Sequence, residues 1–120
     1  MAQLSAHFSE DEMRCNCGCE SLDMDATFIT RLEKARKIAG IPFRITSAFR
    51  CSKYNSQVGG VDSSSHTRGM AADIFARDSK ARYTIVKSLL GAGFNRCGIA
   101  NTFIHVDFDE DKPPEVMWTY

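Results

Sequence analysis

Two histidines and one aspartate, His66, Asp73 and His105, are of the types that combine into a hydrolytic metal centre. Imidazole nitrogen and carboxylate oxygen are donors that zinc takes, and three protein ligands leave the fourth position open to water. The same set would accept other divalent ions. His66 and Asp73 stand seven positions apart, a spacing many chance pairs share, so the residues around them matter more than the interval. Ser65-His66-Thr67-Arg68-Gly69-Met70-Ala71-Ala72-Asp73 joins a loop-borne histidine, a glycine and small residues suited to close backbone approach, and an aspartate in a strand-like segment. His105 comes from Phe103-Ile104-His105-Val106-Asp107, where strand alternation turns His105 and Asp107 to one face and Ile104 and Val106 to the other, into the core. Arg50 adds a guanidinium able to grip a carboxylate with two parallel bonds or to make a surface ion pair, and residue type leaves both open. His7, ahead of the first helix cap, reads as a surface or packing residue.

These side chains need elements to carry them. Ser9-Glu10-Asp11-Glu12 is a capping box and starts a short helix. Asp25 caps a second helix with Phe28, Ile29, Leu32, Ala35 and Ala39 on one face, ended by Gly40 and Pro42. Phe43 to Ser47 reads as a strand, while Ala48 to Tyr54 shows no clear pattern. Asn55 to Ser65, with Gly59-Gly60 and Ser63-Ser64-Ser65, reads as a long loop that delivers His66 into the strand Ala71 to Phe75. Asp78 or Ser79 caps a helix with Tyr83, Val86, Leu89 and Leu90 on its buried side, ended by Gly91 and Gly93. Ile85 is also core by periodicity. Gly98 to Ala100 and Phe103 to Phe108 form a hairpin through Asn101, and the tail is extended, its Trp118 and Tyr120 pinning the terminus or lining a groove. The expected fold is α+β, with a small antiparallel sheet and flanking helices.

Composition bounds the function. With 120 residues, 43% hydrophobic and 25% charged, the chain suits one domain spanning residues 1–120, and a monomer is expected. Fifteen basic residues match fifteen acidic ones, so no long-range field attracts nucleic acid. No apolar stretch is long enough for membrane insertion, and Met1 to Met13 lacks the apolar core of a secretory signal, so synthesis in the cytoplasm is expected. Five cysteines leave at least one unpaired. Cys15, Cys17 and Cys19 lack the Cys-x-x-Cys spacing in which two thiolates share a zinc, and they read as free, partly buried thiols, with a disulfide to Cys51 open.

Together these motifs resemble the zinc D-alanyl-D-alanine carboxypeptidases and related peptidoglycan peptidases over nearly the whole chain. Ile45-Thr46-Ser47-Ala48-Phe49-Arg50 is similar to the family's strand ending in Ser-Gly-Tyr-Arg, and Tyr54-Asn55 with Val58-Gly59-Gly60 to the segment that follows. Ser65-His66, Gly69 and Ala71-Ala72-Asp73 resemble its Ser-x-His-x-x-Gly-x-Ala-x-Asp signature, and Phe103 to Asp107 its closing histidine motif. Trp118-Thr119-Tyr120 resembles the aromatic end of small, often phage-borne members. The resemblance implies a hedgehog/D-Ala-D-Ala-peptidase-like fold and one zinc ion held by His66, Asp73 and His105. It further implies that Arg50 grips the peptide, that Ser65 borders it, and that the substrate is peptidoglycan stem or cross-link peptide, reached by release during phage lysis.

Family members commonly carry an acidic residue three positions before the last zinc histidine, where this chain has Thr102, which cannot act as a base. Asp107 is the best replacement on the same strand face, or else it orients the His105 ring; Asp109 and Glu110 follow close behind. The alternative function is a non-catalytic zinc-containing module that binds cell-wall peptide, or a phage structural component. A thiol-based redox or metal-sensing protein built on the cysteines ranks last.

Overall fold

The capping box at Ser9 forms as written. Its hydroxyl accepts from the Glu12 amide while the Glu12 carboxylate accepts from the Ser9 amide, starting α1 (Glu10–Met13). Asp25 likewise caps α2 (Ala26–Ala39), which ends at Gly40 in the left-handed conformation. The computed structural model describes residues 2–61 and 64–120, so Met1 and, within the expected loop, Asp62 and Ser63 lie outside the described residues. After α2 come β1 (Ile45–Ser47), α3 (Ser52–Gln57), a 3₁₀ turn (Ser65–Arg68) and β2 (Ala71–Phe75). Then follow α4 (Ser79–Gly91), β3 (Arg96–Ile99), β4 (Phe103–Asp107) and β5 (Val116–Thr119).

The strands form one sheet in the order β1-β2-β4-β3-β5. The first four are antiparallel to their neighbours, as expected of the hairpin and its flanks, and β5 adds on parallel to β3. On one face, Ala72 and Ile74 of β2 and Ile104 and Val106 of β4 meet Phe28 and Leu32 of α2 and Ile85 and Leu89 of α4, all buried. The other face carries Asp73, His105 and Asp107, and the β2–β4 register sets Asp73 opposite His105. Two alternating strands therefore separate an apolar core from a polar centre.

Several elements differ from the sequence expectation. The segment without a clear pattern holds α3, because Cys51 serves as its cap, its sulfur accepting from the Tyr54 amide at 3.4 Å. The expected loop from Asn55 to Ser65 is shorter, since Asn55 to Gln57 belong to α3 and Ser65 opens the 3₁₀ turn. On α4, Tyr83 and Leu90 are exposed, at 67% and 48%, and the buried positions are Ile85, Ser88 and Leu89. Ile85 and Leu89 are buried as expected, and the buried stripe takes in Ser88 in place of Tyr83 and Leu90, because the serine hydroxyl donates to the Ile85 carbonyl at 2.7 Å. His7 is a tether, its Nδ1 lying 2.6 Å from Glu33 of α2. Among the described residues no helix is long and apolar enough to cross a membrane.

Gly69 closes the turn that carries His66. Its φ is +71°, its carbonyl accepts from the Asp25 amide, and a Cβ there would stand 1.9 Å from the Asp23 carbonyl oxygen. Gly69→Ala is expected to cost more than about 1 kcal/mol, since both the backbone region and the space are wrong for a side chain. A denaturant midpoint equal to the parent's would overturn that expectation.

Candidate metal centre

His66 stands on the 3₁₀ turn with its Nδ1 2.7 Å from the carbonyl oxygen of Ala48. A carbonyl only accepts, so Nδ1 carries the proton and Nε2 is left with the free lone pair. That nitrogen lies 3.3 Å from Oδ1 of Asp73. His105 is arranged the other way round: its Nε2 faces Oδ2 of Asp107 at 2.7 Å, and its Nδ1 lies 3.0 Å from the same Asp73 Oδ1. His66 Nε2, Asp73 Oδ1 and His105 Nδ1 thus converge, and all three residues are buried.

The donor set fits a zinc ion. Ligands about 2.0–2.1 Å from zinc at the corners of a tetrahedron stand about 3.3 Å apart, matching the 3.3 and 3.0 Å separations seen here. The outward nitrogen of each imidazole is held by an oxygen acceptor, the arrangement that orients metal-binding histidines. Burial opposes the charge on Asp73, yet the His105 and His66 imidazoles beside it hold its carboxyl well below the usual carboxylate range. Burial likewise opposes a charged His105, and its bonds to Asp107 and Asp73 outweigh that and push it up. A gap between Nδ1 and Oδ1 that favours a proton also favours a metal cation.

Around these donors runs a cleft of about 410 Å³ whose lining includes Arg50, Lys112, Trp118 and Tyr120. The Arg50 guanidinium is held by Ser47 Oγ at 3.1 Å, Asn55 Oδ1 at 3.3 Å and Asp73 Oδ2 at 3.5 Å. Asp107 is 1% exposed and has both oxygens engaged, Oδ2 with His105 and Oδ1 with Arg96 Nε at 2.6 Å and the Asp109 amide at 3.2 Å. Ser65 is also buried; its hydroxyl donates to Asp109 and accepts from Lys112 Nζ at 3.0 Å. Asp109 is bound up with Arg68, Ser65 and Lys112, and neither it nor Glu110 lines the cleft. Thr102 sits exposed in the β3–β4 turn.

Sequence reasoning missed Arg96. It lies ahead of the strand expected from Gly98, and only the observed extent of β3 places it on the face of Gly98, which pairs with His105. Gly98 in turn makes room for Trp118, whose Nε1 a Cβ there would approach to 2.4 Å. The Trp118 ring lies 5.6 Å from that of His105 and 5.1 Å from the Arg96 guanidinium, so it serves as a wall of the centre as well as an anchor for β5.

A family model described as Peptidase M15 matches residues 6–107, from ahead of α1 to the end of β4. No curated protein matches the sequence.

Proposed function

The chain belongs to the peptidase M15 family of zinc-dependent peptidases, and from that premise we propose that it hydrolyses peptide bonds in the stem or cross-link peptides of bacterial peptidoglycan, as D-Ala-D-Ala carboxypeptidases and endopeptidases do. The observation that carries this reading is the convergence of His66 Nε2, Asp73 Oδ1 and His105 Nδ1, each imidazole anchored on its far side, at the floor of an open cleft. Zinc, when bound, supplies the Lewis acidity that polarises a scissile carbonyl and acidifies water at neutral pH.

The chain's own residues do the rest. His66, Asp73 and His105 hold the ion. Asp107 keeps the Nε2 proton of His105 in place and so presents the Nδ1 lone pair, which makes it a positioning residue rather than the proton acceptor. Arg50, held in place by Ser47, Asn55 and Asp73, binds a carboxylate or carbonyl of the peptide. Ser65 contributes through Lys112, which it fixes at the cleft wall. Arg50→Lys keeps the charge but loses the planar fork. It is expected to raise KM by about ten- to a hundredfold, the worth of a hydrogen bond to a charged group, with zinc content unchanged. An unaltered KM would take Arg50 out of the binding role.

A second reading has an observation of its own. Among the described residues the carboxylates lining the cleft are Asp73 and Asp107, both committed to histidine and arginine partners, and the position three before His105 is an exposed threonine. A member that retains zinc and peptide but turns over nothing fits those facts. Mass spectrometry of purified peptidoglycan fragments separates the two, using zinc-loaded protein beside chelator-stripped protein and a His66→Ala variant. A new fragment made only by the zinc-loaded parent supports hydrolysis and names the bond. Unchanged fragments throughout, with zinc bound, would replace the peptidase reading with the binding module.

A further inference from the structure

A second set of soft donors lies away from the histidine centre. Cys15, Cys17 and Cys19 follow α1, and Cys51 caps α3, yet all four Sγ atoms lie within 4.8 Å of one another. The sulfurs of Cys15 and Cys17, Cys15 and Cys51, and Cys17 and Cys51 are 3.4, 3.6 and 3.7 Å apart, and all are free thiols. Four thiolates around zinc at about 2.3 Å define a tetrahedron with edges of about 3.8 Å. Three of the four sulfurs therefore already stand near its corners.

Two thiols in simple contact would reach similar separations, but that does not account for four sulfurs from two distant segments meeting at one point. The backbone is shaped to the same end. Gly18, at a φ of +92°, turns the chain between Cys17 and Cys19 so that both side chains return to one side. The Cys51 amide donates to Cys15 Sγ and the Tyr54 amide to Cys51 Sγ, each at 3.4 Å, the kind of N–H···S bond that steadies a metal-bound thiolate. Cys17 and Cys19 are exposed and Cys15 is buried, so an ion can enter from solvent and still be rooted in the fold. The Cys-x-Cys-x-Cys run has no Cys-x-x-Cys knuckle; a left-handed glycine stands in its place, and residue 51 brings the fourth sulfur.

We propose that Cys15, Cys17, Cys19 and Cys51 form a structural zinc site, closed by four thiolates and separate from the His66/Asp73/His105 centre. Binding deprotonates the four thiols and ties the loop after α1 to the first turn of α3. Arg50 is the residue next to Cys51, and its amide donates to the His66 carbonyl at 3.2 Å. The site thereby braces the segment that presents Arg50 to the cleft.

Cobalt(II) loading of the full chain tests this, because sulfur-to-cobalt charge transfer gives an intense near-ultraviolet band that a His/His/Asp site lacks. The parent is expected to bind two ions per chain and show the band. His66→Ala should drop to one ion with the band kept, and the double variant Cys17→Ser, Cys51→Ser to one ion with the band lost. Should the cysteine variant not fold, the parent and His66→Ala spectra decide alone. Absence of the thiolate band from the parent, disulfides at these cysteines in freshly prepared protein, or bound iron in place of zinc would overturn the proposal.

Discussion

Asp73→Asn is expected to remove zinc from the histidine centre and to lower kcat/KM by about 10³-fold or more. The substitution keeps the shape of the side chain and changes its charge, so the loss is electrostatic. Asp73 Oδ1 is shared by His66 Nε2 and His105 Nδ1, while Oδ2 faces Arg50. An amide offers one neutral oxygen to the ion and turns an N–H₂ toward either the ion or the Arg50 guanidinium, and both are cationic. Lewis-acid stabilisation is worth several kcal/mol and each 1.36 kcal/mol is tenfold in rate, which sets the expected scale. Metal content by mass spectrometry and turnover of peptidoglycan fragments are the readouts, with the thermal midpoint reporting whether the fold persists. An Asn variant with full zinc at this centre and undiminished turnover would exclude Asp73 as a ligand.

Local signals made much of this arrangement legible. β2 runs from Ala71 to Phe75, the strand-like segment of the sequence, and α2 begins after the Asp25 cap and stops at Gly40 as the cap chemistry requires. The opposite facing of His105 and Ile104 also follows from strand geometry alone. What no local signal carries is pairing. The register that sets Asp73 opposite His105 arises from two strands separated by α4 and β3, and it is this register that turns two separate motifs into one centre. The same holds for the parallel addition of β5, for Arg96 reaching Asp107, and for Cys51 arriving beside Cys15 and Cys17. On α4 periodicity found Ile85 and Leu89 and missed Ser88 for a different reason: a serine is not scored as a core residue, and Ser88 is buried with its hydroxyl satisfied by its own helix.

Asp107→Asn is expected to act on the metal through a proton. Burial opposes the Asp107 charge, but hydrogen bonds from His105 and Arg96 hold its carboxyl below the usual range, so the native side chain is an acceptor on every side. Arg96 and the Asp109 amide can only donate, and an asparagine must therefore turn its oxygen to them and its N–H₂ to His105. His105 Nε2 then has to accept, its proton moves to Nδ1, and the nitrogen that faces Asp73 loses the lone pair an ion needs. Zinc affinity should fall by about ten- to a hundredfold, the range seen when the partner of a metal-bound histidine is replaced. Stability should fall as well, by about 3–5 kcal/mol, since the Arg96 charge is left buried without its counter-ion. Loss of stability alone would follow from any damaged core pair; the tautomer would not. Nitrogen NMR of the His105 ring in zinc-free protein, at a pH high enough to leave the ring neutral, separates the two, because the positioning role requires the proton on Nε2 in the parent and on Nδ1 in the variant. A variant that keeps the Nε2 proton and the parent's zinc affinity would reduce Asp107 to a structural partner of Arg96.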